Sequence, residues 1–220
     1  KDCLESCITQ SFPDYEIVVV DNGSTNLETL DILNFYKLQK KINLFHCPRK
    51  KQKKNLSIAL NYGLKKCKYN LVARMDSDDV MLKNRLKLQY DYFFKNKEVD
   101  ILGGQIRIFP GDTSTNHKEF ISARDALSSY WFINHPTVMY KKDKILSIGG
   151  YKEEPEMFAE DYDLWVRALY ENLKIRNLQN CLVFYRSHGQ NLTRQTEKNP
   201  NYYGIMNEQR EKLRQKIDNS

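Results

Sequence analysis

Residues 71–80 read Leu-Val-Ala-Arg-Met-Asp-Ser-Asp-Asp-Val, an apolar run that ends at a cluster of aspartates. A second acidic cluster, Glu-Asp-Tyr-Asp at residues 160–163, lies at the start of a segment with helical spacing. Carboxylates crowded at one place repel one another and are costly to desolvate unless a cation or a hydrogen-bonding ligand lies among them. The two clusters together therefore predict a metal-assisted site, with the first cluster at the end of a strand.

The segments around this stretch alternate between strand and helix patterns. Apolar runs predict strands at residues 16–20, 42–46 and 71–75, and helical spacing predicts helices at residues 2–11, 28–41, 56–67 and 82–93. Alternation of this kind, with short connections, predicts an α/β fold in which helices cover both faces of a mainly parallel sheet.

Polar residues follow two of the predicted strands. Asp21 and Asp76 each end an apolar run. Ligands of an open parallel sheet bind beyond the carboxyl ends of its strands, so both residues are expected to face one crevice. Gly23 suits a tight turn against a ligand, and Asn22 and Ser24 offer short polar groups that can bond a base or a ribose.

Composition limits the class of protein. With 220 residues and 40% hydrophobic content, the chain can bury one sizeable core. No apolar stretch approaches the roughly 18–20 residues needed to span a bilayer. The five cysteines are odd in number and form no C-x-x-C pair, which argues against a disulfide framework or a zinc knuckle. Reduced thiols fit a cytoplasmic protein.

The chain carries a formal net charge of +7, and residues 49–54 read Arg-Lys-Lys-Gln-Lys-Lys. Such a run can bind nucleic acid, an anionic membrane surface or a diphosphate, although most surface lysine clusters are only solvated. Because no aromatic residues are interleaved with these basic ones, no nucleic-acid partner is expected. Peripheral contact with a membrane stays open.

Further segments complete a set of motifs. They are Gln-Ser-Phe-Pro at 10–13 with residues 16–24, Leu-Ser-Ile-Ala-Leu-Asn-Tyr-Gly-Leu at 56–64, residues 71–80, His-Pro-Thr-Val-Met at 135–139, Gly-Gly-Tyr at 149–151, residues 160–167 and Tyr-Arg-Ser-His at 185–188. In type and order this set resembles the inverting family-2 glycosyltransferases of the GT-A fold. The resemblance extends over residues 2–194. It implies a GT-A domain at residues 1–194, with residues 195–220 as a C-terminal helical extension.

The resemblance implies a nucleotide-sugar donor, with UDP as the favoured nucleotide. The donor-binding residues that it implies are Asp21, Asn22, Gly23, Ser24, Asp76 and Arg186. Asp21 would bond the base, the next three residues would line the nucleoside, and Asp76 would hold the ribose. Arg186 either contacts phosphate or forms a structural pair.

The resemblance also implies a divalent cation, Mn²⁺ or Mg²⁺, held by Asp78. His188 either approaches this metal or is an ordinary hydrogen-bonded histidine. Asp161 would be the catalytic base that takes the proton of the acceptor hydroxyl. Glu160 is either a second, orienting carboxylate or a charge at the helix N-terminus. The implied acceptor is a glycan, a lipid-linked glycan or a protein.

Two neighbouring carboxylates are interpreted as structural. Asp79 is expected to satisfy backbone N–H groups at the start of the next helix. Asp163 lies one residue off the helix face that Asp161 would use.

The chain departs from the family pattern in two places. Asn22 stands where the family usually has an acidic residue, so the loop keeps a hydrogen-bond acceptor and loses a charge. The chain also begins inside the first predicted helix, so the family's first strand is missing and the domain is expected to be N-terminally truncated. Unpaired strand edges are costly when buried. We therefore expect strands 16–20 and 71–75 to be separated, with a foreign or partner segment between them.

Two other functions fit parts of the pattern. A sugar-phosphate nucleotidyltransferase shares nucleotide-binding sheets and acidic metal sites, but it would need a glycine-rich phosphate loop near the N-terminus, and none is visible. A catalytically inactive or basic binding module would use residues 49–54. If it bound nucleic acid, it would show a steep salt dependence of binding.

Overall fold

The computed structural model describes residues 1–47, 56–154, 159–189, 191 and 202–219, and it confirms the α/β organisation. The basic run at residues 49–54 lies outside this part of the chain. The helices are α1 (Asp2–Ile8), α2 (Leu27–Leu38), α3 (Leu56–Lys66), α4 (Arg85–Lys95), α5 (Ala123–Ser128), α6 (Lys142–Ser147), α7 (Glu160–Tyr170) and α8 (Tyr202–Asp218). The strands are β1 (Val18–Asp21), β2 (Asn43–His46), β3 (Leu71–Ala73), β4 (Val80–Met81), β5 (Ile101–Phe109), β6 (Thr113–Ser114), β7 (Met139–Lys141) and β8 (Ile175–Arg186).

Local signals in the sequence explain where several helices begin. The Asn26 side chain accepts the N–H of Thr29 at 2.8 Å and so caps α2. Ser122 and Asp125 form a reciprocal capping box at the start of α5. Helix α4 begins later than predicted, at Arg85, because the residues after the first acidic cluster form β4 against β8.

The strands form two sheets. Strands β1 and β2 make a parallel pair, and the larger sheet has the order β3-β7-β5-β8-β4, with β6 beside β5. Strands β5 and β8 are parallel and share the longest ladder of the sheet. The pairs β3–β7, β7–β5, β8–β4 and β5–β6 are antiparallel.

The larger sheet is therefore mixed: its longest ladder, β5–β8, is parallel, and its shorter pairings are antiparallel. Each antiparallel pair includes β4, β6 or β7, strands of only two or three residues. Strands this short leave no periodic hydrophobic signal in a sequence. The pair β1–β2 is parallel, as the alternation predicted.

The expected separation of β1 and β3 is present. Among the described strands, β1 pairs only with β2 and β3 only with β7. A cavity of about 930 Å³ lies between them, lined by apolar side chains of both strands and of α1 and α4. The expectation that a further segment fills this gap is not met by any of the described residues.

The main core lies on the other side of the larger sheet, between α5, α7 and α8. Leu164 and Trp165 of α7 are buried there with Met206 and Leu213 of α8. The predicted C-terminal helix is thus packed into the core through α8. The boundary near residue 194 stays a prediction.

The open edges of β1 and β3 give a testable difference in backbone protection. Amides that point into the cavity lack a strand partner, so residues 18–21 and 71–73 should exchange hydrogen faster than residues 101–106 of β5, which lie between two strands. Hydrogen exchange followed by mass spectrometry of these peptides measures this. Equal protection of the three segments would show that the gap is closed in solution.

Candidate active site

The loop after β1 is shaped by its aspartate. The carboxylate of Asp21 accepts the N–H of Ser24 at 2.8 Å and lies 3.2 Å from the Nδ1 of His46 at the end of β2. Burial alone would raise the pKa of Asp21, but the hydrogen bonds from Ser24 and His46 outweigh it and lower the pKa. Gly23 has a φ of 81°, which only glycine adopts readily, and Asn22 is partly buried beside it. Asp21 is thus held ionised at the sheet edge.

Asp76 lies beyond the end of β3 and is paired with a buried arginine. Both terminal guanidinium nitrogens of Arg74 donate to the Asp76 carboxylate, which gives a bidentate ion pair. The Asp76 side chain remains 30% exposed, whereas that of Arg74 is 6% exposed. The carboxylate is therefore partly accessible to solvent, whereas its counter-ion is buried.

Asp78 and His188 are brought together, although they lie far apart in the sequence. The Nε2 of His188 lies 3.0 Å from the Asp78 carboxylate, and both side chains are more than a third exposed. Arg186 donates from Nε to the Asp78 carbonyl at 2.9 Å and pairs with Asp2 at 3.0 Å. Its observed partners are therefore protein groups.

Asp79 is fully buried, unlike its neighbour Asp78, and it contacts the backbone of β8. One of its carboxylate oxygens accepts the Arg186 N–H at 2.8 Å, so Asp79 ties the cluster to β8. The structural interpretation fits, but the partner is a strand N–H rather than a helix N-terminus, because β4 precedes α4. Burial raises the pKa of Asp79 to about 7, and the carboxylates of Asp76 and Asp78 act in the same direction.

The second cluster opens α7. Glu160 is buried, and this burial together with the charge of Asp161 raises the pKa of Glu160 to about 7. The Asp161 side chain is 27% exposed and lies 3.9 Å from the Nδ1 of His135. Burial raises the pKa of Asp161, while the N–H of Tyr162, at 2.8 Å, acts in the opposite direction. Asp161 is the more exposed of the two adjacent carboxylates.

The two clusters share one charged neighbour, Arg74. Besides its ion pair with Asp76, its charge acts on Glu160 and on Asp161. The carboxylates at the end of β3 and those at the start of α7 thus experience the charge of the same cation.

Comparison with known proteins identifies the family of this chain. The Glycosyl transferase family 2 model matches residues 1–151. The Escherichia coli O-antigen biosynthesis glycosyltransferase WbnJ is 35% identical over 195 residues, which cover 84% of this chain and 73% of WbnJ. The chain belongs to glycosyl transferase family 2. This membership favours a glycosyltransferase over a sugar-phosphate nucleotidyltransferase.

Two further comparisons, one with a second relative and one with a solved structure, support the family and the fold. The E. coli UDP-Gal:alpha-D-GlcNAc-diphosphoundecaprenol beta-1,3-galactosyltransferase is 30% identical over 193 residues, 84% of this chain and 68% of that enzyme. The crystal structure of S. aureus TarS in complex with UDP superposes with a TM-score of 0.73 at 20% identity. It confirms the GT-A fold. That alignment covers 96% of this chain, which spans 60% of the TarS chain.

The donor atoms of the first cluster fit a hard divalent cation. No group of three or more histidine, cysteine, aspartate or glutamate side chains converges among the residues that the structure describes. Asp78 and His188 supply two adjacent, partly exposed donors. Mg²⁺ and Mn²⁺ bound with substrate phosphates commonly use one or two protein ligands, with phosphate oxygens and water completing the shell. Two protein ligands are therefore enough for an ion shared with a diphosphate.

Sequence reasoning missed three residues around the site. Arg74 follows the apolar residues of β3, and an arginine at the end of an apolar run is itself a signal of a buried ion pair. The side chain of Asn191 donates to the Arg186 carbonyl at 3.0 Å and accepts the His188 N–H at 2.6 Å. Arg85 is fully buried beneath the cluster. No local pattern distinguishes the last two from surface residues.

Asp163 is part of a buried ion-pair network that holds α7 in place. Its carboxylate pairs with Arg167 at 2.6 Å and with Lys152 at 2.9 Å. Arg167 also donates to the carbonyls of Ile148 and Gly150. This geometry supports the structural interpretation of Asp163.

Replacing Asp163 should therefore lower stability. Asp163→Asn should reduce the free energy of unfolding by about 3 kcal/mol, the lower end of the cost of breaking a buried pair, because Lys152 and Arg167 keep some contact with water. Denaturant unfolding measures the change. Glu208→Gln, which removes the exposed pair with Lys212, is the matched control and should change the midpoint little. Equal effects of the two variants would contradict the assignment.

Proposed function

We propose that this protein transfers a sugar from a UDP-linked donor to an acceptor hydroxyl with inversion at the anomeric carbon. The observation that carries the proposal is that Arg74, paired with Asp76 of the first cluster, also acts through its charge on Glu160 and Asp161 of the second. Inversion in a single step needs one set of groups for the leaving diphosphate and a separate base for the incoming hydroxyl. Each cluster supplies one of these.

The donor half is formed by the ends of β1 and β3. Asp21 would accept a hydrogen bond from the base, with Asn22, Gly23 and Ser24 along the nucleoside and Asp76 at the ribose. A fixed acceptor such as the ionised Asp21 suits an N–H of a pyrimidine base. UDP is favoured because TarS binds UDP and the galactosyltransferase relative uses UDP-Gal.

The residues proposed to hold Mn²⁺ or Mg²⁺ are Asp78 and His188. Such an ion would neutralise the negative charge that develops on the diphosphate as the glycosidic bond to phosphate breaks. Arg186 lies beside the ion site and would add positive charge near the phosphates. Its bonds to Asp78 and Asp2 would hold it there.

Asp161 is proposed as the base of the acceptor half. The acceptor oxygen forms its bond to the anomeric carbon as that carbon's bond to the phosphate oxygen breaks, and the hydroxyl proton moves to the Asp161 carboxylate. His135 is buried, and burial holds its pKa well below the ordinary value. It is therefore neutral and does not act as a cationic partner of Asp161. Glu160 would orient Asp161 as the second carboxylate.

The acceptor proposed is a glycan or a lipid-linked glycan, with a protein as the further alternative. The galactosyltransferase relative acts on a GlcNAc linked to diphosphoundecaprenol. No helix in the part of the chain that the structure describes is long and apolar enough to cross a bilayer. We propose a cytoplasmic enzyme that meets a lipid-linked acceptor at the membrane surface. The free thiols of all five cysteines support a reducing setting.

The metal site predicts a specific loss of binding. Asp78→Ala should abolish the Mn²⁺-dependent binding of UDP, because it removes the only charged protein ligand proposed for the ion. Isothermal titration with UDP in Mn²⁺ and in EDTA measures this. Asp79→Asn is the matched control. It should keep most of the affinity, because an amide oxygen can still accept the Arg186 N–H. Unchanged metal-dependent UDP affinity in Asp78→Ala would contradict the assignment of Asp78 as a metal ligand.

If Asp161 is the base, its replacement should lower the rate with little loss of donor affinity. Asp161→Asn should lower kcat by roughly 10²–10⁴-fold, because a proton acceptor acts mainly in the transition state. The wild-type rate should fall as the pH drops through the pKa of Asp161. Because burial raises that pKa, the fall should begin at a higher pH than for an exposed aspartate. Turnover with a UDP-sugar and acceptor pair, together with UDP titration, measures both. Near-normal turnover of Asp161→Asn would rule it out as the base.

A further inference from the structure

The motif Gly149-Gly150-Tyr151, which lies outside both carboxylate clusters, is clamped by a residue of α3. The side-chain amide of Asn61 donates to the Tyr151 carbonyl at 2.7 Å, and its oxygen accepts the Tyr151 N–H at 2.9 Å. Gly150 has a φ of 66°, and a Cβ at this position would lie 2.6 Å from the Asn61 oxygen. Glycine is therefore needed both for the backbone conformation and for the close approach of Asn61. The clamp fixes the backbone of Tyr151.

The side chain of Tyr151 meets a histidine that faces the second cluster. The Tyr151 hydroxyl lies 2.9 Å from the Nε2 of His135, and both side chains are buried. The other ring nitrogen of His135, Nδ1, lies 3.9 Å from the Oδ2 of Asp161. The His135 ring also packs edge to face against Trp165 of α7, with ring centroids 5.8 Å apart. The ring thus lies between Tyr151 and Asp161, with one nitrogen toward each.

These neighbours favour one tautomer of His135. Burial keeps the pKa of His135 well below its ordinary value, so the ring is neutral at pH 7 and only one nitrogen carries a proton. With the proton on Nε2, the lone pair of Nδ1 would face the Asp161 carboxylate, which is repulsive. With the proton on Nδ1, this N–H faces Oδ2 of Asp161 and the Tyr151 hydroxyl donates to Nε2. Both buried nitrogens then have a suitable neighbour.

The two oxygens of the Asp161 carboxylate have different surroundings. Oδ1 accepts the N–H of Tyr162 at 2.8 Å, whereas Oδ2 is the oxygen nearest to His135. The distance of 3.9 Å to Nδ1 exceeds hydrogen-bond range. Hydrogen bonds of catalytic groups are often long without substrate and shorten in the complex. Each carboxylate oxygen has two lone pairs, so Oδ2 can accept the Nδ1 proton donor and still take the proton of an acceptor hydroxyl.

We propose that His135 is a positioning residue for the base, with its proton on Nδ1 and its ring fixed by the Tyr151 hydroxyl, and that it directs Oδ2 of Asp161 toward the acceptor hydroxyl. This inference rests on the proposed function, in which Asp161 takes the hydroxyl proton. It also gives a role to Asn61 and Gly150, which hold Tyr151 in place without touching substrate. A histidine that only fills the core needs neither a particular tautomer nor a hydroxyl partner.

The tautomer of His135 is measured in wild-type protein labelled with ¹⁵N at histidine. Long-range ¹H–¹⁵N NMR correlation distinguishes a protonated ring nitrogen from a bare one. The His135 signals are assigned by elimination from variants of the other histidines, which are His46→Gln, His117→Gln and His188→Gln. We expect the proton on Nδ1, and a proton on Nε2 would overturn the proposal. This readout needs no turnover, so it is separate from the proposed function, which fails if the wild type transfers no sugar.

Two substitutions of His135 test the role of Nδ1 in turnover. Asparagine places its amide nitrogen as many bonds from Cα as Nδ1, whereas glutamine places its amide nitrogen as far out as Nε2. His135→Gln should lower kcat roughly tenfold, the effect of losing one hydrogen bond to a charged group, with UDP affinity unchanged. His135→Asn should keep a larger share of the wild-type kcat. Equal losses in the two variants would overturn the proposal, and if neither folds, the wild-type tautomer decides.

Removal of the Tyr151 hydroxyl tests its hold on the ring. Tyr151→Phe keeps the buried aromatic ring and should lower kcat several-fold with UDP affinity unchanged, because His135 loses the contact that fixes its orientation. Tyr15→Phe is the matched control, since it loses the hydroxyl bonds to the Cys7 and Ile8 carbonyls of α1, and it should keep the wild-type kcat. A wild-type kcat in Tyr151→Phe would contradict the role given to its hydroxyl.

Discussion

The site depends on one buried contact, the guanidinium of Arg85. It donates to three backbone carbonyls, at 2.8–3.1 Å, which are those of Arg74, Pro136 and Val138. Without it the carbonyls of Arg74 and Pro136 would lose this donor in a buried region, which is costly, whereas the Val138 carbonyl also accepts the Arg74 N–H. Burial lowers the pKa of Arg85 to about 10, so it keeps its charge at neutral pH. The contact fixes the end of β3, which leads to Asp76, against the turn that presents His135 to Asp161.

The carboxylates of this enzyme differ mainly in how much water and how many donors they meet. Asp79 and Glu160 are buried, and the pKa of each is raised to about 7. Asp21 receives hydrogen bonds, and its pKa is lowered. Asp161 lies between these cases, because the N–H of Tyr162 and the charge of Arg74 oppose the effect of burial. Burial and hydrogen-bond donors therefore give different pKa directions to carboxylates that are clustered in the sequence.

The sequence predicted those features that are encoded in short local patterns. The apolar run ended by Asp21 located this residue correctly at the end of β1, whereas β3 ends at Ala73 and Asp76 lies in the segment that follows. Antiparallel pairing through β4 and β7 was missed, because strands so short have no period. The link from Arg74 to the start of α7 depends on chain segments that meet only in the folded protein. The GT-A fold was predicted through the motif order and is confirmed, whereas the roles of individual residues remain proposals.

The donor diphosphate is proposed to lie between Asp78 and the start of α7. A crystal structure of the protein with UDP and Mn²⁺, with the ion located by its anomalous scattering, would test this position. We expect manganese bound to the Asp78 carboxylate, with the base at Asp21 and the β-phosphate directed toward Asp161. Manganese bound away from Asp78 and His188, or a nucleotide outside the edge formed by the ends of β1 and β3, would contradict it.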